Sequence, residues 1–63
     1  MLKITLKAAR INANLTRVQA AERLGISVDT LKNYENGSTM PRFDIVTQME
    51  ELYEIPAEYF KIF

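Results

Sequence analysis

The sequence holds no cysteine and no histidine. Without cysteine there is no disulfide, no thiolate nucleophile and no thiolate metal ligand. Without histidine, the side chain that most often moves protons near neutral pH and most often holds a metal is missing too. No carboxylate pair, nucleophile–base pair or phosphate-binding glycine loop stands in for them. The chain is therefore expected not to be an enzyme, and to need neither metal nor cofactor. Apolar residues never run beyond two in succession, so there is no candidate for a membrane span or a secretory signal core. Cytoplasm is the expected compartment. At 63 residues the chain is read as a single domain spanning residues 1–63, with a modest core and marginal stability.

Net charge is also lacking, because eight Lys and Arg balance eight Asp and Glu. The balance is not uniform along the chain. Residues 1–43 carry seven bases (Lys3, Lys7, Arg10, Arg17, Arg23, Lys32 and Arg42) against three acids (Glu22, Asp29 and Glu35), a net +4. Residues 44–63 carry five acids (Asp44, Glu50, Glu51, Glu54 and Glu58) against Lys61 alone, a net −4. A basic part able to meet phosphates and an acidic part turned away from them follow from that split.

What is abundant is helix former, without sustained β-branched alternation, so the whole chain reads as helical. A first helix is expected from Leu2 to Ala13, with Leu2, Leu6, Ala9 and Ala13 on one stripe and Lys3, Lys7, Arg10 and Asn14 on another. Asn14 can end it by taking the left-handed conformation. Thr16 and Gln19 form a capping box for a second helix, in which Val18, Ala21 and Leu24 are expected to point inward, and which stops at Gly25. Ser27 caps a third, stopped by Asn36-Gly37. On it, Leu31 and Tyr34 share one face, and Val28, Asp29, Lys32, Asn33 and Asn36 share the other. A fourth spans Arg42 to Tyr53, with Ile45, Val46, Met49, Leu52 and Tyr53 as its stripe. Pro56 opens a short fifth. The fold class is thus all-α, a compact bundle of about five short helices.

The second and third helices are joined only by Gly25-Ile26-Ser27. So tight a turn forces them to cross steeply, which is the geometry of a helix-turn-helix. Ala21 is small where the two approach, and Ile26 plugs the corner.

The stretch from Leu15 to Pro41, LTRVQAAERLGISVDTLKNYENGSTMP, resembles the helix-turn-helix of lambdoid phage repressors, Cro proteins and their bacterial relatives, the XRE-like group. Leu15, Thr16, Ala21, Leu24-Gly25-Ile26-Ser27, Leu31, Tyr34, Glu35, Gly37 and Pro41 carry the resemblance. It implies that Ser27, Val28, Asp29, Lys32 and Asn33, at the start of a recognition helix running roughly from Val28 to Asn36, read base edges in the major groove. The residue chemistry is compatible with this. Asn33 can bond adenine in a bidentate way, Val28 can pack on a thymine methyl, Asp29 can accept from cytosine, and Lys32 can reach guanine or a phosphate. The resemblance further implies backbone or minor-groove contacts for Arg17, Asn36, Thr39 and Arg42. It also implies a partly buried structural ion pair between Arg10 and Glu35, which sets Arg10 apart from the Lys3–Lys7 stripe. The chain departs from the family at Asn14, Arg17 and Ala20, where Gly, Gln and Leu are usual. Asp29 on the reading face repels phosphate.

The expected partner is double-stranded DNA. The expected activity is regulation of transcription, as a repressor of phage or mobile-element type that occupies an operator and excludes polymerase. Core packing is expected for Tyr53, Tyr59 and Phe60. Family members usually bind as two-fold dimers to half-sites about one helical turn apart. The apolar terminal residues Tyr59, Phe60, Ile62 and Phe63, with the fourth-to-fifth helix region, are candidates for such a homodimer interface. The alternative is a protein-interaction module, such as an antitoxin or anti-repressor, which the neutral net charge and apolar end support.

Overall fold

The computed structural model describes residues 3–62. The elements are β1 (Ile4–Thr5), α1 (Leu6–Asn12), α2 (Arg17–Leu24), α3 (Val28–Glu35), α4 (Phe43–Tyr53), a 3-10 turn (Ala57–Tyr59) and β2 (Phe60–Lys61). The expected helical bundle forms, with four α-helices among the described residues. The expected fifth helix is the single 3-10 turn that follows Pro56. The reading of the whole chain as helical misses the two strands. They pair in parallel, Ile4 with Phe60 and Thr5 with Lys61, and so tie the two ends of the domain together.

That pairing also shortens the first helix. Ile4 and Thr5 are extended, and Thr5 becomes the N-cap of α1, its hydroxyl accepting from the Ala8 N–H at 3.0 Å. Leu2, placed in the expected helix, lies outside the described residues.

The three short helices α1, α2 and α3 stop in the same way. In each, a residue at or just past the C-cap is left-handed: Asn14 at φ 61°, Gly25 at φ 70° and Gly37 at φ 81°. In each, the N–H of the following residue reaches back to the last turn, with Leu15 N to Arg10 O at 3.2 Å, Ile26 N to Ala21 O at 3.0 Å, and Ser38 N to Asn33 O at 3.0 Å. These are Schellman motifs, which satisfy carbonyls that a helix end otherwise leaves unpaired. Leu15 and Ile26, the residues after the first two stops, pack against the core. Each helix is thereby ended and turned toward the interior in one step. The capping box of α2 is present as expected: Gln19 N donates to Thr16 Oγ1 at 3.1 Å, and Thr16 N donates to Gln19 Oε1 at 2.9 Å.

The core gathers Leu6 and Ala9 of α1; Ala20, Ala21 and Leu24 of α2; Leu31 and Tyr34 of α3; Ile45, Met49 and Tyr53 of α4; and Phe60 of β2. Alanines at 9, 20 and 21 are almost fully buried, and their small size lets α2 cross closely over its neighbours. Phe60 meets Tyr53 edge to face, ring centroids 6.4 Å apart. The expected inward residue Val18 is instead 64% exposed, and Ala20 takes its place. At about 100° per residue, Ala20, Ala21 and Leu24 cluster on one side of a helix beginning at Arg17, and Val18 falls outside the cluster.

Glu54 ends α4 in the left-handed conformation, φ 57°, without being glycine or asparagine. Replacing it by glycine is expected to raise stability by up to about 1 kcal/mol. At Gly25 the converse holds. A Cβ there would meet no atom within 4 Å, so Gly25→Ala carries backbone strain alone and is expected to lower stability by about 1 kcal/mol. Chemical denaturation of both variants checks the signs.

The Tyr53 hydroxyl is buried and has no hydrogen-bond partner among the described residues. Burial, with the Glu35 charge nearby, pushes its pKa up to about 12 from the ordinary value of 10.0, and Arg10 acts weakly the other way. Because the folded value lies above the unfolded one, this contribution is fully present below pH 10 and is lost as pH rises toward 12. Tyr53→Phe is expected to be neutral or stabilising at pH 7 and to flatten the loss of stability between those two pH values. Thermal melts across that range test it. A loss above about 1 kcal/mol at pH 7 would show that the hydroxyl is hydrogen-bonded after all.

Candidate nucleic-acid interface

α3 is held at both ends by its own residues. The Ser27 hydroxyl accepts from Thr30 N at 3.0 Å and lies 2.7 Å from Thr30 Oγ1. At the other end, Asn36 Oδ1 accepts from the backbone N–H of Ser38 at 3.1 Å and from its hydroxyl at 2.7 Å. Ser27 and Asn36, both expected to touch DNA, are therefore partly committed to capping. The Asn36 amide nitrogen has no such commitment among the described residues. Thr39 is exposed, and its backbone N–H donates to Asn33 O at 3.4 Å.

Between these ends, Leu31 and Tyr34 are buried, and Val28, Asp29, Lys32 and Asn33 are exposed. None of the last three makes a side-chain hydrogen bond among the described residues. The result is a helix face with one apolar surface (Val28, 38% exposed), one acceptor, one cation and one amide, all open to a ligand. The sequence could locate this face because α3 is short, capped at both ends and cleanly divided by its period.

Under α3 lies a charged cluster. Glu35, the last residue of the helix, has a side chain only 3% exposed. Arg10 Nε donates to its Oε2 at 2.7 Å, and Arg10 Nη2 donates to its Oε1 at 3.4 Å. Arg10 Nη1 donates to the Leu15 carbonyl at 2.9 Å. Arg10 is thus buried within the fold and set apart from exposed Lys3 and Lys7. Arg17 also reaches Glu35, Nε to Oε1 at 3.4 Å. This third member is absent from the expectation drawn from the sequence, which gave Arg17 to the DNA backbone alone. The signal for it was the helix period, which puts Arg17 on the inward face of α2.

Arg42, the N-cap of α4, forms an exposed bidentate pair with Asp44, with distances of 3.3 and 3.0 Å. The hydrogen bond from Arg42 is the main cause that holds the Asp44 carboxyl below its ordinary value. Beside this pair, Met40 is 62% and Phe43 87% exposed. Neither was singled out from the sequence, since the apolar stripe of α4 does not include Phe43.

Of the terminal candidates, Phe60 is 3% exposed and belongs to the core, which leaves it almost no surface for a partner. Tyr59 and Ile62 are half-buried, and Phe63 lies outside the described residues. A shallow, mainly apolar groove of about 640 Å³ is lined by Lys3, Met40, Ala57, Phe60, Lys61 and Ile62. On α4, Glu50 accepts from the Ala57 N–H at 2.8 Å and so anchors the 3-10 turn. Among the described residues no group of three or more acidic side chains is placed to hold a metal ion, and no helix is long and apolar enough to cross a membrane.

The sequence pattern of the helix-turn-helix family matches residues 6–60. A relative, the HTH-type transcriptional regulator ImmR of Bacillus subtilis (strain 168), is 37% identical over 54 residues. The match covers 86% of this chain and 42% of that protein, so the chain spans about two fifths of its relative's length. No solved structure matches the chain.

The Arg42–Asp44 pair makes a direct prediction. An NMR titration of the Asp44 carboxyl is expected to give a midpoint below the ordinary aspartate value, and Arg42→Gln is expected to raise it. An unchanged midpoint in the variant would mean that the pair does not persist in solution.

Proposed function

The chain belongs to the XRE-like helix-turn-helix family, and from that premise we propose that it binds a specific double-stranded DNA site and regulates transcription there, as a repressor of phage or mobile-element type. The observation that carries the reading is the exposed face of α3. A helix with both ends tied internally presents Val28, Asp29, Lys32 and Asn33 on its exposed side, Val28 in part. Each of the four has a partner on a base edge or phosphate. Arg17, Asn36, Thr39 and Arg42 are assigned to the backbone or minor groove, and they fall in the part of the chain that carries the net +4 charge.

One eight-residue helix reads few bases. Two copies on palindromic half-sites about one helical turn apart are therefore the form in which the protein acts. Half-buried Tyr59, and Ile62 with the groove it lines, support that pairing.

A second reading, a protein-interaction module of antitoxin or anti-repressor type, draws its support from Met40 and Phe43, which leave large apolar surface in water next to Arg42.

Selection against random duplex DNA, followed by titration of the selected pool at two salt concentrations, separates the two. The DNA reading expects an enriched palindrome and a steep loss of affinity with salt, as several phosphates are neutralised. Weak, unselective binding to every duplex favours the interaction module. On the enriched site, Asn33→Ala is expected to lose about 1–3 kcal/mol of discrimination against a mismatched base. If its sequence preference matches the wild type, Asn33 is not a base reader.

A further inference from the structure

The pairing of β1 with β2 does more than join the ends of the domain. Side chains alternate along an extended chain, so Lys3 shares a side with Thr5, and Thr5 stands opposite Lys61 in the register. Two exposed lysines from opposite ends of the chain are thereby set on one face. Lys61 is the only base in residues 44–63, which hold five acids. Both lysines line the groove of about 640 Å³, and the rest of its lining is Met40, Ala57, Phe60 and Ile62. Those four are apolar, and none of the six is acidic. Met40 is 62% exposed. Neither lysine makes an ion pair among the described residues. The acids of α4 and its end lie elsewhere: Asp44 on Arg42, Glu50 on the Ala57 amide, and Glu51 and Glu54 beside a separate depression with Ile55 and Pro56.

We propose that this groove is a docking site for a short acidic segment of a partner protein, one that carries carboxylates next to aliphatic or aromatic side chains. The apolar floor takes the apolar side chains, and the two ammonium groups take the carboxylates. Charge selects this occupant over the others. Two-fold pairing sets a patch against its own image, so a second copy seated groove on groove brings the lysines of both copies together with no acid between them. A phosphate backbone satisfies the lysines but leaves the apolar floor without a partner. An acidic, apolar segment meets both, and the lysines turn away basic segments by like-charge repulsion. Ile62 also supports the pairing of two copies, which makes a second copy the competing occupant. None of the lining residues belongs to the set assigned to DNA, so the inference goes beyond the DNA-binding reading and does not rest on it.

The test is selection of the protein, in the absence of DNA, against a displayed library of random peptides, followed by NMR titration of the enriched sequences into the isotope-labelled protein. Enriched peptides are expected to interleave acidic and apolar residues, and to shift the amide signals of Met40, Lys61 and Ile62. A Lys3→Gln/Lys61→Gln double variant is expected to bind them about tenfold more weakly at an unchanged melting temperature, because both side chains are exposed. Raised salt is expected to weaken the wild type and to leave the double variant nearly unaffected. Met40→Ser, a change at an exposed position, is expected to weaken binding while keeping the wild-type salt dependence. Enrichment of peptides without acids, shifts confined to another face, or no enrichment at all would overturn the proposal. Light scattering that finds a dimer without DNA, with its contacts mapping to this groove, would give the groove to a second copy instead. Because no DNA is present, none of these outcomes bears on the DNA-binding reading.

Discussion

Glu35 places a carboxylate where a folded protein least accommodates one, out of water and at the negative end of a helix dipole. The arrangement of the first three helices depends on how that charge is met. Arg10 comes from the last turn of α1, where a cation is favoured, and gives Glu35 two of its nitrogens and the Leu15 carbonyl the third. One guanidinium therefore fixes the end of α1, the link to α2 and the end of α3 relative to one another. Such a pair adds little net stability over an apolar substitute, but breaking it by removing one partner leaves a buried charge stranded, at about 3–5 kcal/mol. Its value lies in geometry, since few other arrangements satisfy all three groups at once.

Eight-residue helices such as α2 and α3 would not persist alone in water. They persist here because every end is closed. Thr5, Thr16 and Ser27 cap the starts, and Asn14, Gly25 and Gly37 turn the ends through the left-handed region. The apolar residue after each of the first two turns drops into the core, so stopping the helix and packing it are one event. The buried alanines then let the axes approach closely enough for three such links to suffice.

The consequence for function is a division of labour along α3. Its terminal polar groups are occupied in holding the helix, and the side chains of Asp29, Lys32 and Asn33 make no hydrogen bond among the described residues. The charge is divided in the same sense. The net +4 of the first 43 residues includes the cluster under α3, and the net −4 belongs to residues 44–63, where Glu50 is already employed in anchoring the 3-10 turn. A duplex meeting the exposed face of α3 would meet the positive part of the chain.

Local chemistry was enough to locate α2 and α3 with their caps and stops, the span of α4, and the outward face of α3. Thr16 with Gln19, Ser27, Gly25 and Gly37 act on backbone groups within a few residues of themselves, and the 3.6 period divides a helix without knowledge of its neighbours. The Arg10–Glu35 pair entered through a resemblance, since a contact 25 residues apart in sequence leaves no local mark. Tertiary structure alone decided the rest. Ile4 and Thr5 became a strand because Phe60 and Lys61, at the far end of the chain, offered backbone partners. Tyr53 sets its ring edge to face on Phe60, from the far end of the chain, and among the described residues its buried hydroxyl has no partner. Val18 was left in water because the fold packs α2 through Ala20, Ala21 and Leu24, and Val18 lies about 100° round the helix from that side. Arg17 was drawn to Glu35 for a similar reason: where a long charged side chain goes depends on which opposite charge the fold brings within reach, and that is a property of packed helices and not of any one of them.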